Sequence, residues 1–119
     1  WKQNINSNLR PTVIGKLLFT ISYEGYLVIL DNSNGNIIRI TNVFAKTKDY
    51  KKNKIEPTGF IIGKNKVYLS LSNGKIVIVN LIDGKLIDII KINGDKISRP
   101  FIFNKNMYLI KINSILKLN

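Results

Sequence analysis

The fold is decided by residues Lys66–Asp88, which read KVYLSLSNGKIVIVNLIDGKLID. The first six alternate between polar and apolar side chains, the pattern of a β-strand with two unlike faces. Asn73-Gly74 then predicts a type I′ hairpin turn, because both residues tolerate positive φ. The β-branched run Ile76–Val79 predicts a strand buried on both faces, and Asp83-Gly84 predicts a second turn before a third strand opens at Leu86. The stretch is therefore expected to form an antiparallel meander.

The same arrangement recurs along the chain. Pro11, Pro57 and Pro100 stand at the start of three similar units, 46 and 43 residues apart. The turn glycines recur as well, since Gly25 and Gly35 each precede a counterpart by 49 residues, at Gly74 and Gly84. A period of roughly 40 to 50 residues that carries four short strands is typical of a β-propeller blade.

We therefore predict an all-β fold with about two and a half to three blades of four-stranded antiparallel meanders, a partial propeller. The expected organisation is a last strand of a preceding blade (1–8), a blade (9–42), a basic loop (43–56), a second blade (57–93) and an incomplete blade (94–119). The chain begins with Trp1 and shows no signal peptide. We expect it to be a segment from the C-terminal part of a larger propeller.

The composition narrows the possible chemistry. The 119 residues contain no Cys and no His, which excludes disulfides, zinc sites of the usual type, thiol nucleophiles and Ser-His-Asp catalysis. The net charge of +12 is compatible with binding to nucleic acid or to an anionic membrane surface. However, Ile, Lys and Asn fill 54 positions, as 22, 16 and 16. Because all three have A/T-rich codons, biased codon usage is the favoured cause of the charge.

Residues 25–39 and 74–88 carry a finer motif: a turn glycine, an apolar strand, an Asx residue and a second turn glycine. This motif resembles the PQQ-type propeller repeat of the quinoprotein-type proteins, and Gly25, Gly35, Gly74, Gly84 and Asp31 match it residue by residue. Asp83 is predicted to be a structural turn residue of the second, looser copy. The family places a docking Trp about four residues after the second glycine, where this chain has Arg39 and Asp88. Trp1 is the one residue that could play this part, for a preceding blade.

The resemblance implies one of two kinds of function. One branch, the BamB-like outer-membrane assembly lipoproteins of the periplasm, consists of non-catalytic scaffolds that bind another protein, such as a barrel-assembly subunit. The other branch, the quinoprotein dehydrogenases, binds PQQ and Ca²⁺ on the propeller axis. The seven carboxylates of this chain show no grouping that suggests metal ligands. We therefore expect a scaffold with no catalytic, metal-binding or cofactor-binding residues and no cofactor.

Two sets of residues are candidates for partner binding. Arg10 and Arg99 each precede a proline at the start of a unit, where the first strand of a blade lines the axis. They could contact a partner or an anion, although structural hydrogen bonds to turn carbonyls are the favoured alternative. The second set consists of loop lysines that could touch acidic protein, lipid or nucleic acid, or simply be solvated: Lys46, Lys48, Lys51, Lys52 and Lys54.

The partial propeller also predicts its own assembly. Blades pack face to face, so fewer than three complete blades leave apolar sheet faces uncovered. Those faces are expected to meet the remaining blades of the same propeller, or further copies of this segment through head-to-tail self-association. Nucleic acid is an unlikely partner under this interpretation.

Overall fold

The computed structural model describes residues 1–44, 55–92, 96–111 and 114–118. In these ranges every regular element is a strand, arranged as three separate antiparallel sheets in the orders β1-β2-β3-β4, β5-β6-β7-β8 and β9-β10-β11. We call these sheets blades 1, 2 and 3. The strands are β1 (Thr12–Ile14), β2 (Leu17–Ile21), β3 (Tyr26–Asp31), β4 (Ile37–Asn42), β5 (Pro57–Gly63), β6 (Lys66–Leu71), β7 (Lys75–Asn80), β8 (Leu86–Lys91), β9 (Phe101–Phe103), β10 (Asn106–Lys111) and β11 (Ser114–Leu118).

The all-β fold of propeller blades predicted from the sequence is confirmed. Within each blade, every strand pairs with the next along the chain, as in a meander. A helix long and apolar enough to cross a membrane is not found in the described part of the chain.

Blade 2 lies between blades 1 and 3, and this position accounts for the uninterrupted apolar run in residues 76–79. All four residues of Ile76–Val79 are buried, as predicted. Val77 and Val79 belong to the core cluster shared with blade 1, whereas Ile76 and Ile78 belong to the cluster shared with blade 3. Because successive side chains of a strand point to opposite faces, an uninterrupted apolar run can serve two interfaces at once.

The turn chemistry corrects one prediction. At Asn73-Gly74 only the glycine has positive φ, at 82°, and its N–H donates to the Leu71 carbonyl. This is a type I turn closed by a left-handed glycine, and not type I′. The two-residue turns with positive φ at both positions lie elsewhere, at Lys64-Asn65 (50° and 62°) and at Asn104-Lys105 (50° and 64°).

The strand register corrects the alignment of the units. Phe19, Tyr68 and Tyr108 occupy equivalent positions, and their partners on the first strands are Thr12, Ile61 and Phe101. The structural spacings are therefore 49 and 40 residues, and Pro11 and Pro100 correspond to Phe60. Pro57 stands three residues earlier, because β5 has seven residues whereas β1 and β9 have three each.

Residues 1–11 hold no strand, but they run along blade 1 from one end to the other. The Trp1 indole donates to the Asn32 carbonyl (2.9 Å) and the Gln3 amide to the Gly35 carbonyl (2.8 Å). Further on, the Tyr23 N–H donates to the Asn6 carbonyl. That residues 1–8 end a preceding blade remains a prediction.

Candidate functional site

The candidate site is the end of the blades at which their first strands begin. Register places Arg10, Gly59 and Arg99 at equivalent positions just before or within these strands. We call this set the inner-strand entrance. In a propeller the first strand of each blade lines the central axis, so three successive blades contribute the sequence Arg, Gly, Arg around the axis.

Gly59 provides the space that Arg99 occupies. A Cβ at residue 59 would lie 2.3 Å from the Arg99 Cβ and 2.5 Å from its Cγ, far inside van der Waals contact. The glycine backbone is buried, whereas Arg10 and Arg99 are both exposed. The aliphatic stem of Arg99 therefore packs on blade 2, while its charged end remains available to solvent.

Neither guanidinium has a hydrogen-bond or ion-pair partner among the described residues. The predicted hydrogen bonds of these arginines to turn carbonyls are not found among the described residues, and their role stays a prediction. The loop lysines Lys46, Lys48, Lys51, Lys52 and Lys54 lie outside the described residues.

The third arginine does have a structural role. Arg39 on β4 donates through its Nη1 and Nη2 to the carbonyls of Ile82 and Leu81 in blade 2. Beside it, Thr41 lies against Gly84, where an added Cβ would be 2.3 Å from the Thr41 Cγ2. At the equivalent place in blade 1, Trp1 makes both kinds of contact, with Gly35 and with the Asn32 carbonyl. Arg39 and Thr41 together therefore make, on the turn of blade 2, the two kinds of contact that the Trp1 indole makes on the turn of blade 1.

The predicted turn residues form turns. Positive φ is found at all four glycines: Gly25 (88°), Gly35 (75°), Gly74 (82°) and Gly84 (72°). The Asp31 carboxylate accepts from the Ser33 hydroxyl (2.6 Å) and from the Ser33 N–H (2.8 Å), and these bonds lower the pKa of Asp31 below its ordinary value. Asp83 accepts from the Lys85 N–H.

Two further described carboxylates also accept hydrogen bonds. Asp88 accepts from the Ile89 N–H. Glu24 accepts from the Asn6 amide, and its pKa is lowered, first by a hydrogen bond from its own backbone and then by Asn6 and Ser22. The described chain contains no group of three His, Cys, Asp or Glu side chains that could hold a metal ion.

This donor set does not fit PQQ with Ca²⁺. Calcium takes six to eight oxygen ligands, typically with several carboxylates. The first strands β1, β5 and β9 carry no Asp or Glu, and the side chains at the inner-strand entrance are cationic. Sequence reasoning missed Gly59, which only the register identifies as equivalent to the arginines.

Comparison with known proteins identifies solved structures with a similar fold. No family model matches the sequence, and no curated protein matches it. Among solved structures, BamB from Moraxella catarrhalis aligns with a TM-score of 0.65 at 14% identity, over 95% of this chain and 32% of its own. The quinohemoprotein alcohol dehydrogenase ADHIIG from Pseudomonas putida HK5 aligns with a TM-score of 0.64 at 16% identity, over 92% of this chain and 17% of its own.

A computationally designed protein, Ika8, aligns with a TM-score of 0.65 at 10% identity, over 90% of this chain and 31% of its own. The chain therefore spans between about a sixth and a third of the structures it matches. At these identities the similarity shows the fold alone, that of β-propeller blades.

Proposed function

We propose that this segment of a PQQ-like β-propeller is a non-catalytic scaffold that binds another protein through its inner-strand entrance. The observation that carries the proposal is the pair of exposed guanidiniums, Arg10 and Arg99, which have no partner among the described residues. A structural arginine normally satisfies several of its five donors within the protein, as Arg39 does. Two arginines that do not are available for a partner.

The chemistry of the entrance indicates the kind of surface that would bind. A guanidinium forms paired hydrogen bonds with a carboxylate and is less strongly hydrated than an ammonium. Gly59 lets the stem of Arg99 pack on blade 2, which restricts its freedom before binding and lowers the entropic cost of holding it. The partner face would therefore present Asp or Glu side chains.

The fold shared with BamB supports a more specific setting. In that setting the scaffold works on the periplasmic side of an outer membrane, and its partner is a subunit of the machinery that assembles barrel proteins. The quinoprotein alternative lacks support from the described donor set, in which Asp31 and Asp83 accept hydrogen bonds in turns and Asp88 accepts from the next N–H along β8. The other alternative, a basic module for anionic polymers or membranes, rests on the net charge of +12 alone.

The proposal is tested by titrating the protein against the purified barrel-assembly subunit of the same organism. The double variant Arg10→Ala, Arg99→Ala should weaken binding by roughly tenfold to a hundredfold, as expected for two charge-assisted hydrogen-bonded contacts. The control Lys16→Ala, Lys85→Ala makes the same change in net charge at exposed residues outside the entrance. It should leave the affinity within about twofold.

The alternatives give different results. Equal losses in both double variants would show that only net charge matters, and would favour the basic-module interpretation, which also predicts a steep fall of affinity for polyanions with salt. Quinone absorbance and dehydrogenase activity after addition of PQQ and Ca²⁺ would overturn the scaffold proposal. So would unchanged affinity in the arginine variant.

A further inference from the structure

A cleft opens between blades 2 and 3, at the end opposite to the inner-strand entrance. It encloses about 530 Å³, within the range of about 300 to 1,000 Å³ that is usual for small-molecule sites. Blade 2 contributes Tyr68, Ile76 and Ile78 to its wall, and blade 3 contributes Ile102, Met107 and Leu118. The wall is therefore largely aliphatic.

The cleft reflects a difference between the two blade interfaces. Ile62 and Ile102 occupy equivalent positions on β5 and β9. Ile62 packs against the core between blades 1 and 2, but Ile102 is 48% exposed. The facing blade differs at this point, because register puts Gly63 of blade 2 where blade 1 has Ile14. Gly63 contributes no side chain to the second interface, where a Cβ at residue 63 would lie 3.4 Å from Cδ1 of Ile102.

Two cations stand at the cleft. Lys64 and Lys105 line it, both with exposed side chains, and no acidic side chain is among its lining residues. Both have left-handed backbone, with φ of 50° and 64°. They belong to the two type I′ turns, which contain all the non-glycine residues with positive φ in the described chain. Such a backbone costs about 1 kcal/mol or more for a residue other than Gly, so lysine is not the residue that the turns alone would favour.

We propose that this cleft binds a long-chain aliphatic carboxylate, with its alkyl chain against the isoleucines and its carboxylate between the two ammonium groups. The charge complementarity selects the anionic head, because Lys64 and Lys105 are the charged groups of the lining. The aliphatic wall selects the tail, since burial of each methylene improves affinity by roughly fourfold. This site is independent of the proposed partner contact, which lies at the other end of the blades.

The test is calorimetric titration of the 119-residue chain with sodium dodecanoate below its micellar concentration. We expect one saturable site. Shortening the tail by two methylenes, to decanoate, should weaken binding about fifteenfold, and acetate should show no binding. Dodecyltrimethylammonium has the same tail with a cationic head, and should not compete. The double variant Lys64→Gln, Lys105→Gln should weaken dodecanoate binding about tenfold, while the control Lys16→Gln, Lys85→Gln should leave it unchanged.

A second variant tests the tail site without changing charge. Ile102→Trp places a larger side chain at an exposed wall position and should abolish saturable binding, with circular dichroism as the check that the sheets remain. If Ile102→Trp unfolds, the comparison of dodecanoate binding between the two lysine double variants decides the proposal. Equal binding of the cationic detergent, equal loss in both lysine double variants, or no saturable binding would overturn the proposal. An affinity for dodecanoate that falls as protein concentration rises would show that a second copy of the chain occupies the cleft instead.

Discussion

Replacing Gly25 with alanine is expected to be the most damaging single methyl addition in the described chain. Gly25 has φ of +88°, and its added Cβ would lie 1.5 Å from Cδ2 of Phe44. Phe44 is only 5% exposed and belongs to the core cluster between blades 1 and 2. The alanine methyl and the phenyl ring cannot occupy the same space, so either the turn or the ring must move.

The expected loss in the free energy of unfolding has two parts, one from the backbone and one from the clash with Phe44. Left-handed backbone costs an alanine about 1–2 kcal/mol relative to glycine. Complete loss of a buried phenylalanine from a core costs about 3–5 kcal/mol, and partial displacement costs a fraction of this. We expect Gly25→Ala to lower the free energy of unfolding by about 3–5 kcal/mol. Gly15→Ala is the matched control, because Gly15 also has positive φ (+58°) but nothing within 4 Å of the added methyl. It should cost only the backbone part, about 1 kcal/mol.

The assay is urea denaturation of both variants, followed by far-ultraviolet circular dichroism. The Phe44→Ala background isolates the clash, since without the ring Gly25→Ala should cost no more than Gly15→Ala. The double-mutant cycle should therefore show a coupling of about 2 kcal/mol or more. If Gly25→Ala alone fails to fold, the comparison in the Phe44→Ala background still stands. Equal costs for the two glycine variants in the wild-type background would refute this reasoning.

Four further outcomes are expected. Arg39→Met should lower the unfolding free energy by about 1–3 kcal/mol, because two carbonyls of the β7–β8 turn lose their donor; chemical denaturation measures it, and Arg39→Lys should recover part of the loss. The folded-state pKa of Asp31 is depressed, so its contribution to stability is present above the ordinary pKa and is lost as pH falls through the folded value. Asp31→Asn should thus flatten the pH dependence of stability below about pH 4, and Ser33→Ala should do the same; an unchanged slope would contradict the assignment. Lys105→Gly should raise the unfolding free energy in urea denaturation by about 0.5–1 kcal/mol, because Asn-Gly is the preferred type I′ pair; an unchanged or lower value would contradict this. The isolated 119-residue chain should self-associate in sedimentation velocity, since large apolar side chains of the end blades are exposed; a monodisperse monomer of 13.6 kDa would contradict that.

The strands were largely predictable because period-two patterns and turn glycines are local signals. The buried run Ile76–Val79 was recognisable from β-branched residues alone, and Gly25, Gly35, Gly74 and Gly84 marked hairpin ends correctly. The type of each turn was harder to predict from the sequence. Asn-Gly favours type I′ when two residues connect the strands, but the number of connecting residues depends on where pairing stops. At Asn73-Gly74 the last paired residues are Ser70 and Ile76, and the loop is longer.

The prolines did not show which residues of the three blades occupy equivalent positions. Their spacing along the sequence depends on the lengths of the strands as well as on the period of the repeat. The seven-residue β5 begins at Pro57, so this proline precedes the position that Pro11 and Pro100 share. The missing docking tryptophans were visible in the sequence. Their replacement was not, since the indole's stacking and its hydrogen bond are supplied by two residues, Thr41 and Arg39, that no single motif position represents.

The two blade interfaces together connect the fold with both proposals. In blade 2, side chains of the single strand β7 pack into both interfaces. The two interfaces therefore differ mainly in the side chains that the other strands of blade 2 contribute. Toward blade 1 it offers Phe60, Val67 and Leu69, which are all fully buried. Toward blade 3 it offers Tyr68, which is partly buried, and Gly63, where blade 1 carries an isoleucine.

The packing that holds the blades together and the groups on which the two proposals rest are separated in space. The first interface holds most of the described buried apolar residues, including Phe44, against which Gly25 packs. The second interface is less filled and leaves the cleft with its two lysines. Tight packing of Arg99 on Gly59 at the opposite end shows that blades 2 and 3 still meet closely at the axis. Stabilising substitutions are therefore tolerable between blades 1 and 2, whereas filling the interface between blades 2 and 3 should remove ligand binding without affecting the arginine contact.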